Sequence, residues 1–275
     1  MANILIYKIE GKTFKTTEQY ITGEELKKQG NIPLDVELYL AVRKPFEDEL
    51  IENSTRVNLA RPDIEQFFCK KKLYYFINNK DLINHLESIA INKGYSFFKY
   101  KDNINLNINL WGIRSNDKDT TKFNDVCLMF YQNKDTTWTI HTYKITTDPS
   151  NVNLQKPINK NGTAIVKEGQ YKGLFKVGLH KGYEALVQAV PITVIRDNNK
   201  DDILDIKNNK EETGMFGINM HRASINGNNN EIGLYSAGCQ VHQDYKRFTY
   251  EFMPIIKSAI GKSSITYTLI NEDDL

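Results

Sequence analysis

Two short blocks near the C-terminal end decide the expected fold of that region: Gly217-Ile-Asn-Met-His221-Arg-Ala-Ser224 and Ser236-Ala-Gly-Cys239-Gln-Val-His242. Residues 216–220 alternate in polarity like a short strand that ends at the histidine, and residues 231–235 predict a second short strand that leads to the cysteine. The Asn- and Gly-rich run between them tolerates positive φ, so the two strands are expected to fold back on each other. Such a hairpin would bring the imidazole of His221 beside the thiol of Cys239.

This pair of residues has the chemistry of a nucleophile and its base. A cysteine thiol is mostly protonated at neutral pH and reacts when a nearby base removes its proton. We therefore expect Cys239 to be the nucleophile and His221 to be the base. Gly238 lets the backbone bend, so the amides of Gly238 and Cys239 would face a developing oxyanion. His180, on a glycine-flanked loop, and Ser236 are weaker candidates for contact with a substrate.

The alternative interpretation of each cysteine and histidine is structural. A lone cysteine is usually a small buried apolar residue, and a lone histidine usually belongs to the core or the surface. Cys69 and Cys127 lie in apolar runs and are expected to be buried structural residues. His85 and His141 fall in a predicted helix and a predicted strand, and we interpret them in the same way.

The two blocks resemble the signature of the L,D-transpeptidase catalytic domain of the YkuD type, in which a histidine precedes a Ser/Thr-His-Gly-Cys-x-Asn/Arg block. The spacing from His221 to Cys239 is in that family's range. The chain differs at Ala237, where the family has a second histidine, and at Val241, where it has Asn or Arg. The resemblance implies acyl transfer through a Cys239 thioester, with the backbone carbonyl of Arg222 orienting the imidazole. The Arg222 side chain would either bind a substrate carboxylate or be solvated.

Further blocks resemble divergent, phage-type members of the same superfamily. These blocks are Trp-Gly-Ile-Arg at residues 111–114, Thr-Thr-Asp-Pro at residues 146–149, Gly-Leu-His at residues 178–180 and Ser-Ala-Gly-Cys-Gln-Val at residues 236–241. The resemblance thus extends over much of the C-terminal half of the chain.

The composition is that of a globular chain with little net charge. Its 275 residues, 40% of them hydrophobic, are enough for a substantial core in one or two domains. A net charge of +2 gives no reason to expect nucleic acid or an anionic membrane as a partner. Three cysteines without paired spacing argue against a disulfide framework. The sequence has no metal-ligand or nucleotide-binding motif, so we expect neither a metal nor a cofactor.

No export signal is visible in the sequence. The apolar run at its N-terminus is too short for a signal peptide, and no later stretch is long enough to span a membrane. We therefore expect a cytoplasmic protein.

Residues 1–70 predict a domain of their own. Alternating residues near the start predict a hairpin whose turn falls at Glu10 and Gly11. Thr22 and Glu25 form a capping box, which is typical of the start of a helix. Further short strands follow. Hairpin, helix and strands in this order are typical of a β-grasp fold.

This N-terminal region resembles the bacterial multi-ubiquitin type of ubiquitin-like domain. The matching blocks are Thr-Gly-x-Glu-Leu at residues 22–26, Glu-Leu-Tyr-Leu at residues 37–40, an acidic loop at residues 46–51 and Ile-Glu-x-Phe-Phe at residues 64–68. No di-glycine tail follows these blocks. The resemblance therefore implies a module that docks a protein partner, and not conjugation in the ubiquitin manner.

Residues 71–103 predict a linker and a connecting helix. The lysines at residues 70–72 are expected to form a solvated joint. Residues 81–92 carry apolar side chains at helical spacing. This segment is expected to connect the two domains.

Residues 104–275 predict a mostly β domain that ends with helical structure and one more strand. Many short strands separated by Gly and Asn turns suit the transpeptidase-like catalytic fold. A helix at residues 243–260, interrupted at Pro254, and a strand at residues 265–270 close the domain. The whole chain is therefore predicted to be α+β.

Two hypotheses about function follow. The first is a cysteine acyl-transfer enzyme, namely a peptidase, amidase or transpeptidase that acts on a peptide amide. The resemblance implies a peptidoglycan-derived stem peptide as its substrate. The second is a non-catalytic docking or assembly protein that binds a partner through the ubiquitin-like domain. Turnover that depends on Cys239 separates the two.

Overall fold

The computed structural model describes residues 4–34, 36–42, 48–60, 65–69, 79–102, 104, 106–206, 209–226 and 230–275. The chain is α+β, with more residues in strands than in helices and with several separate sheets. It divides into two compact units, Met1–Leu82 and Ile83–Leu275. The joint expected at residues 70–72 and most of the Asn-rich loop, residues 227–229, lie outside the described residues.

The first unit combines short strands with one helix. Its described elements are β1 (Leu5–Ile9), β2 (Lys12–Thr16), β3 (Tyr20–Thr22), α1 (Gly23–Gly30), β4 (Leu38–Leu40), β5 (Glu49–Ile51), β6 (Arg56–Asn58) and β7 (Glu65–Cys69). Five strands form a sheet with the order β2-β1-β7-β4-β5, in which β1 is parallel to β7 and the other neighbours are antiparallel. β3 and β6 pair with each other.

Local sequence signals set the geometry of this unit. Glu10 and Gly11 have φ angles of 50° and 74° and close the hairpin between β1 and β2. At the start of α1, the Thr22 hydroxyl accepts from the Glu25 amide, and the Glu25 carboxylate accepts from the Thr22 amide at 2.8 Å. The predicted turn and capping box are confirmed. Leu26 of α1 is fully buried in the core of this unit.

The second unit is built around a closed barrel. Its described elements are α2 (Asn79–Lys93), which contains the boundary between the units, β8 (Asn109–Arg114), β9 (Asp125–Gln132), β10 (Trp138–Thr146), α3 (Asn151–Gln155), β11 (Thr163–Val166), β12 (Gly169–His180), β13 (Tyr183–Gln188), β14 (Ile192–Asp197), β15 (Glu211–Gly214), β16 (Met220–Arg222), β17 (Gln240–His242), α4 (Tyr245–Arg247), a π-helical turn (Phe248–Phe252), α5 (Met253–Ile260), β18 (Ser264–Asn271) and a 3-10 turn (Glu272–Asp274).

The barrel closes in the order β10-β17-β16-β13-β12-β18-β8-β9. Within it, β16 is parallel to β17 and β18 is parallel to β8. β11, β14 and β15 form a separate three-stranded sheet. One apolar core joins barrel residues such as Phe175, Leu186 and Tyr267 to Phe252 and Ile256 of the C-terminal helical segment. The barrel and the helical segment are therefore packed as one body.

The interruption predicted in the C-terminal helix is confirmed. The Met253 amide donates to the carbonyl of Phe248, five residues back, which is the pattern of a π-helical turn. Pro254 follows in the first turn of α5, where its missing N–H leaves no helical bond unmade.

The hairpin expected between residues 216–220 and residues 231–235 is wrong. β16 covers only Met220–Arg222, and residues 231–235 contribute a single bridge, from Glu231 to Lys122. The segment folds into a small apolar core of its own, in which Ile232 packs with Phe123 and Val241. Parallel neighbours such as β16 and β17 need a crossover longer than a hairpin turn, and this segment supplies it.

In the described part of the chain, no helix is both long and apolar enough to cross a membrane.

Candidate active site

β16 and β17 are neighbouring parallel strands that carry the two predicted reactive residues. His221 is paired in register with Val241, so Cys239 lies just before β17 and opposite Asn219. The Asn219 amide accordingly donates to Cys239 Sγ at 3.5 Å. Alternate residues of a strand point to the same face, so the register directs the side chains of Asn219, His221 and Cys239 to one face of the barrel wall. The parallel pair thus replaces the predicted hairpin as the element that aligns base and nucleophile.

The imidazole of His221 is buried and held from one side only. Its Nδ1 lies 2.9 Å from the carbonyl oxygen of Arg222, which can only accept, so Nδ1 carries the proton. The Tyr183 hydroxyl lies 3.2 Å from the same nitrogen. Nε2 is buried and has no hydrogen-bond partner in the described residues. This tautomer leaves a free lone pair on Nε2, which is the form that a general base needs.

Burial keeps this imidazole neutral. Loss of solvation lowers the pKa of His221 to about 4, and the positive charges of His180, Lys181 and Arg222 act in the same direction. The hydrogen bond to the Arg222 carbonyl opposes this shift. At neutral pH, His221 is therefore a proton acceptor and not a cation.

The thiol of Cys239 is half-buried at the end of this arrangement. Its Sγ donates to the Gly217 carbonyl at 3.6 Å, which is a long contact. Burial raises the pKa of the Cys239 thiol, although the Asn219 amide, which donates to the sulfur, opposes the shift. No hydrogen bond joins Sγ to Nε2 of His221 in the described residues. The thiol and the imidazole are therefore both neutral, and they are not hydrogen-bonded to each other in this conformation.

The turn before the cysteine depends on a glycine and a buried serine. Gly238 has φ of +118°, and a Cβ there would lie 2.4 Å from the carbonyl oxygen of Ala164. The Ser236 hydroxyl accepts from the Gly238 amide at 3.2 Å and donates to the Cys239 carbonyl at 2.8 Å. The Ser236 carbonyl in turn accepts from the side chain of Asn153 at 2.8 Å. Ser236 is fully buried, so it holds the turn, which differs from the expectation that it contacts substrate.

The same bonds change the expected oxyanion donors. Because the Gly238 amide is used by Ser236, it is not available to a substrate oxygen in this conformation. The Cys239 amide donates to no protein acceptor within the part of the chain that the structure describes. It is the remaining backbone donor at the nucleophile, where an oxyanion would form.

His180 and Asn219 extend the site beyond the predicted pair. The His180 ring stacks on the His221 ring, with centroids 4.1 Å apart and planes 10° apart. The Asn219 side chain lies 3.0 Å from His180 Nδ1. Burial lowers the pKa of His180, and the charge of Lys181 adds to this effect. His180 therefore lies at the site, as a wall against the base, whereas Asn219 was not a candidate in the sequence.

The Arg222 side chain projects to the other side of the base. Its guanidinium carbon lies 4.0 Å from the centre of the Tyr183 ring, and Nη1 donates to the Ala223 carbonyl at 3.0 Å. Tyr183 links the two features, because its hydroxyl also lies 3.2 Å from the Arg222 carbonyl. The backbone carbonyl of Arg222 therefore holds the His221 ring, while its side chain stacks on Tyr183.

A buried polar network lies behind the cysteine turn and joins two of the sequence blocks. Arg114 Nε, from the Trp-Gly-Ile-Arg block, lies 2.7 Å from Asp148 Oδ1 and 3.2 Å from Thr147 Oγ1, both in the Thr-Thr-Asp-Pro block. Asp125 accepts from the Thr147 hydroxyl at 2.8 Å. Burial and the nearby Asp148 carboxylate raise the pKa of Asp125 to about 7. The polar residues of these blocks are therefore buried and support the structure from inside; they do not form an exposed surface.

Gln240, the residue after the cysteine, connects this network to the site. Its side chain accepts from the Tyr267 hydroxyl at 2.6 Å and donates to the Thr147 carbonyl at 3.3 Å. Gly112 makes room for that hydroxyl, since a Cβ there would lie 1.9 Å from it. Residues around Cys239 are thus fixed to the barrel wall from inside.

Two cavities have neighbours of His221 and Cys239 in their walls. One, of about 310 Å³, is lined by Tyr183 and Arg222 among others. The other, of about 330 Å³, has Ile218 and Ala237 in its wall and adjoins the turn that carries the cysteine. Both are in the size range of pockets that bind small ligands.

In the described residues, no group of three or more His, Cys, Asp or Glu side chains is arranged to bind a metal. Cys69 and Cys127 are buried and form no disulfide, in keeping with a structural role.

Asn219, Tyr183 and the Arg114 network were not among the candidate site residues predicted from the sequence. Asn219 lies inside the quoted block two residues before His221, so its position on the same strand face was a usable signal. Comparison of the chain with protein-family models, with curated proteins and with solved structures gave no match.

Proposed function

We propose that this protein is a cysteine acyl-transfer enzyme, a peptidase, amidase or transpeptidase, in which His221 activates Cys239 for attack on a peptide amide. The observation that carries the proposal is a buried imidazole on the strand beside a half-buried cysteine. Its Nδ1 is fixed by a backbone carbonyl, and its Nε2 has no partner among the described residues. His141 and His242 also bury an unpartnered Nε2, so the neighbouring cysteine is what gives the feature its meaning here.

The reaction that fits this arrangement begins with two neutral groups. As Sγ attacks the carbonyl carbon, its proton passes to Nε2 of His221, and the carbonyl oxygen becomes an oxyanion that the Cys239 amide stabilises. When the C–N bond breaks, the imidazolium returns the proton to the leaving nitrogen, and a thioester remains on Cys239. Water or an amine then takes the acyl group and restores the thiol.

The fold assignments that go with this function are also part of the proposal. We infer that the barrel unit is a divergent L,D-transpeptidase-like catalytic domain acting on a peptide such as a peptidoglycan stem peptide. Support comes from the histidine lying on β16 and the Ser-Ala-Gly-Cys block leading directly into the neighbouring strand β17. We infer that the first unit is a ubiquitin-like β-grasp domain that docks a protein partner. Support comes from its sheet order, with the parallel strands β1 and β7 at the centre and α1 after the hairpin.

Thiol alkylation tests the resting state of the site. Since burial raises the pKa of Cys239, the iodoacetamide reaction should be slow at pH 7 and should speed up only above the ordinary thiol pKa of about 8.5. Intact-mass kinetics on the wild type measure this, with Cys239→Ser as the control for the two buried cysteines. Rapid labelling at pH 6 would mean a thiolate–imidazolium pair and would contradict the neutral resting state.

Turnover tests the function itself. Incubation with muropeptides and with simple acyl peptides should give cleavage or exchange in the wild type, none with Cys239→Ala, and a rate about 100-fold to 10,000-fold lower with His221→Gln. Chromatography with mass detection follows the products. If Cys239→Ala turns over as fast as the wild type, the proposal fails, and a non-catalytic docking protein becomes the better description.

A further inference from the structure

We infer that His180 and Asn219 are positioning residues for the base. Asn219 holds the His180 imidazole in one tautomer, and the flat face of that imidazole holds the His221 ring in place. The inference rests on the proposed function and deepens it, because it states how a buried base is kept in its reactive orientation. It also predicts that the two stacked imidazoles carry their protons on different nitrogens.

The side-chain amide of Asn219 has a single possible orientation. Its Oδ1 accepts from the Gln188 backbone amide at 3.0 Å, and a backbone N–H can only donate. Its Nδ2, which also can only donate, therefore faces His180 Nδ1 at 3.0 Å. His180 Nδ1 must be the acceptor of this bond, so the proton of the neutral ring is on Nε2.

The backbone of Asn219 joins this amide to the nucleophile. Its N–H donates to Cys239 Sγ at 3.5 Å, and its carbonyl accepts from the Gln240 amide at 2.9 Å. Asn219 thus uses both backbone groups and both ends of its side-chain amide in hydrogen bonds. A residue fixed in this way gives His180 a rigid partner.

His180 is also held by a tight turn and by a second ring. It ends β12 and pairs with Tyr183 across a two-residue turn. The turn residues, Lys181 and Gly182, have φ angles of 48° and 87°, and positive φ at both positions is typical of a type I′ hairpin. The Tyr183 ring meets the His180 ring edge-on, with centroids 5.7 Å apart and planes 75° apart. The His180 imidazole is therefore restrained on several sides.

The restrained His180 ring lies flat against the His221 ring. Their centroids are 4.1 Å apart and their planes 10° apart. Rotation of the His221 ring about its Cβ–Cγ bond would drive its edge into this neighbour, because packed rings leave no free space between them. The stack therefore keeps His221 Nδ1 at the Arg222 carbonyl, 2.9 Å away, and leaves Nε2 as the basic nitrogen.

The surroundings of the two rings oppose protonation of either one. Burial lowers the pKa of both histidines, and the charge of Lys181 acts in the same direction. Arg222 adds to the effect at His221. A proton on His180 Nδ1 would also point at the Asn219 amino group, so two donors would face each other.

NMR of the imidazole nitrogens reads both tautomers directly. The full-length chain has five histidines, so the ring signals can be assigned one at a time with substitutions such as His180→Phe and His221→Gln. At pH 7 we expect a proton on Nε2 alone in His180 and on Nδ1 alone in His221. A His180 ring with its proton on Nδ1, or with both nitrogens protonated, overturns the inference.

The Asn219→Asp variant tests whether Asn219 sets the tautomer of His180. The aspartate keeps an acceptor for the Gln188 amide and replaces the donor that faces His180 with a second acceptor. His180 should therefore carry a proton on Nδ1 at pH 7. The signals of His85, whose Nε2 lies 2.8 Å from the Leu275 carbonyl, should not move. A His180 spectrum that is the same in Asn219→Asp and the wild type contradicts the role of Asn219.

The second arm removes the His180 ring. His180→Ala leaves a gap that water can fill, so His221 should lose its single tautomer and its pKa should rise from about 4 toward the ordinary value of about 6.5. His180→Phe keeps a flat ring against the base and should preserve the Nδ1–H tautomer of His221. Leu179→Ala, at the exposed neighbouring position on β12, is the matched loss of a side chain and should leave His221 unchanged. Thermal unfolding shows that each variant is folded.

These outcomes are independent of turnover. A His221 ring that keeps its tautomer and its pKa in His180→Ala overturns the positioning role even if the wild type is active. Loss of the single tautomer in His180→Ala and its rescue in His180→Phe support the role even if no peptide is cleaved, in which case the proposed function fails on its own test. If His180→Ala does not fold, the wild-type and Asn219→Asp spectra still decide the question.

Discussion

Gly238 determines the conformation of the turn that carries Cys239, because only a residue without a side chain fits there. Its φ of +118° and the 2.4 Å that would separate a Cβ from the Ala164 oxygen both exclude larger residues. The turn then closes through the Ser236 hydroxyl, which bonds to the amide before the cysteine and to the carbonyl of the cysteine itself. A single backbone conformation therefore sets both the direction of the thiol and the free amide beside it.

Substitution of this glycine should damage both stability and reactivity. Gly238→Ala forces a strained φ and a clash with backbone, so we expect a loss of about 2 kcal/mol or more in the free energy of unfolding. Urea denaturation measures this loss. Gly233→Ala is the matched control, because Gly233 also has positive φ, +53°, but has nothing within 4 Å of an added Cβ. Equal losses for the two variants would show that the close approach to Ala164 is unimportant.

At this scale the sequence predicted the proximity of Cys239 and His221 better than the contacts around them. Both residues stand in short blocks, and the structure places these blocks side by side in register, while their roles remain part of the proposal. The closure by Ser236 and the bond from Asn219 to the sulfur depend on the three-dimensional turn and on strand register. Neither hydrogen bond is visible in the local sequence pattern. For this reason Ser236 was expected to contact substrate, and Asn219 was not considered.

At the scale of elements, β17 meets the C-terminal helical segment at His242. This histidine is buried, and its ring centre lies 4.9 Å and 4.6 Å from those of Phe248 and Phe252 and 5.3 Å from that of Tyr143. Burial lowers the pKa of His242 to about 3, and the charges of His221 and Arg247 add to this effect. The contact between strand and helix therefore requires an uncharged ring.

The contribution of His242 to stability should depend on pH. With a folded pKa of about 3 and an unfolded pKa near 6.5, the unfolded chain binds more protons between these values, so stability is lost as the pH falls below about 6.5. His242→Phe has no ionisable ring at this position, so it should lose less stability as the pH falls. Relative to the wild type, its free energy of unfolding should rise by up to about 1.4 kcal/mol for each pH unit below about 6.5. Thermal melts from pH 7 to pH 4.5 measure the difference.

Comparing the wild type with His242→Phe cancels the contributions that other titrating groups make to the pH dependence of stability. Asp125, whose pKa burial raises to about 7, contributes in the opposite direction, because its stabilising effect fades as the pH rises. That contribution is the same in the wild type and in His242→Phe and cancels in their difference. Parallel curves for the two proteins would contradict the assignment to His242.

The arrangement of elements was predicted unevenly. The strands of the barrel and the break at Pro254 follow from local periodicity and from the chemistry of proline. The parallel pairing of β16 and β17 was missed, because two strands joined by a polar loop look like a hairpin in sequence. What decides the pairing is the burial of Ile232 against Phe123, a contact between distant segments.

At the scale of the whole molecule, the largest apolar core of each unit lies within that unit. One contains Leu26 and Phe67 of the first unit, and the other fills the barrel around Leu186. The two tryptophans, Trp111 and Trp138, both belong to the barrel strands β8 and β10. Tryptophan fluorescence therefore reports on the second unit alone, whereas circular dichroism reports on both.

A cavity in the first core should affect only the first unit. Leu26 is fully buried, so Leu26→Ala should lower the stability of that unit by about 2 to 5 kcal/mol. Urea unfolding followed by circular dichroism should then show an early transition, while the fluorescence transition stays in place. Leu186→Ala, in the other core, should shift the fluorescence transition instead. A fluorescence midpoint that falls with Leu26→Ala would mean that the units unfold together.

The parallel course of β16 and β17 also affects how this protein can be engineered. Both strands run in the same direction and are aligned by the barrel ladder, so the length of the crossover between them does not set the spacing of base and nucleophile. Extra residues at Asn226, which is exposed, would lengthen the crossover without changing that ladder, whereas the part anchored by Ile232 leaves no such freedom. A reporter peptide inserted there would leave the alignment of His221 with Cys239 intact.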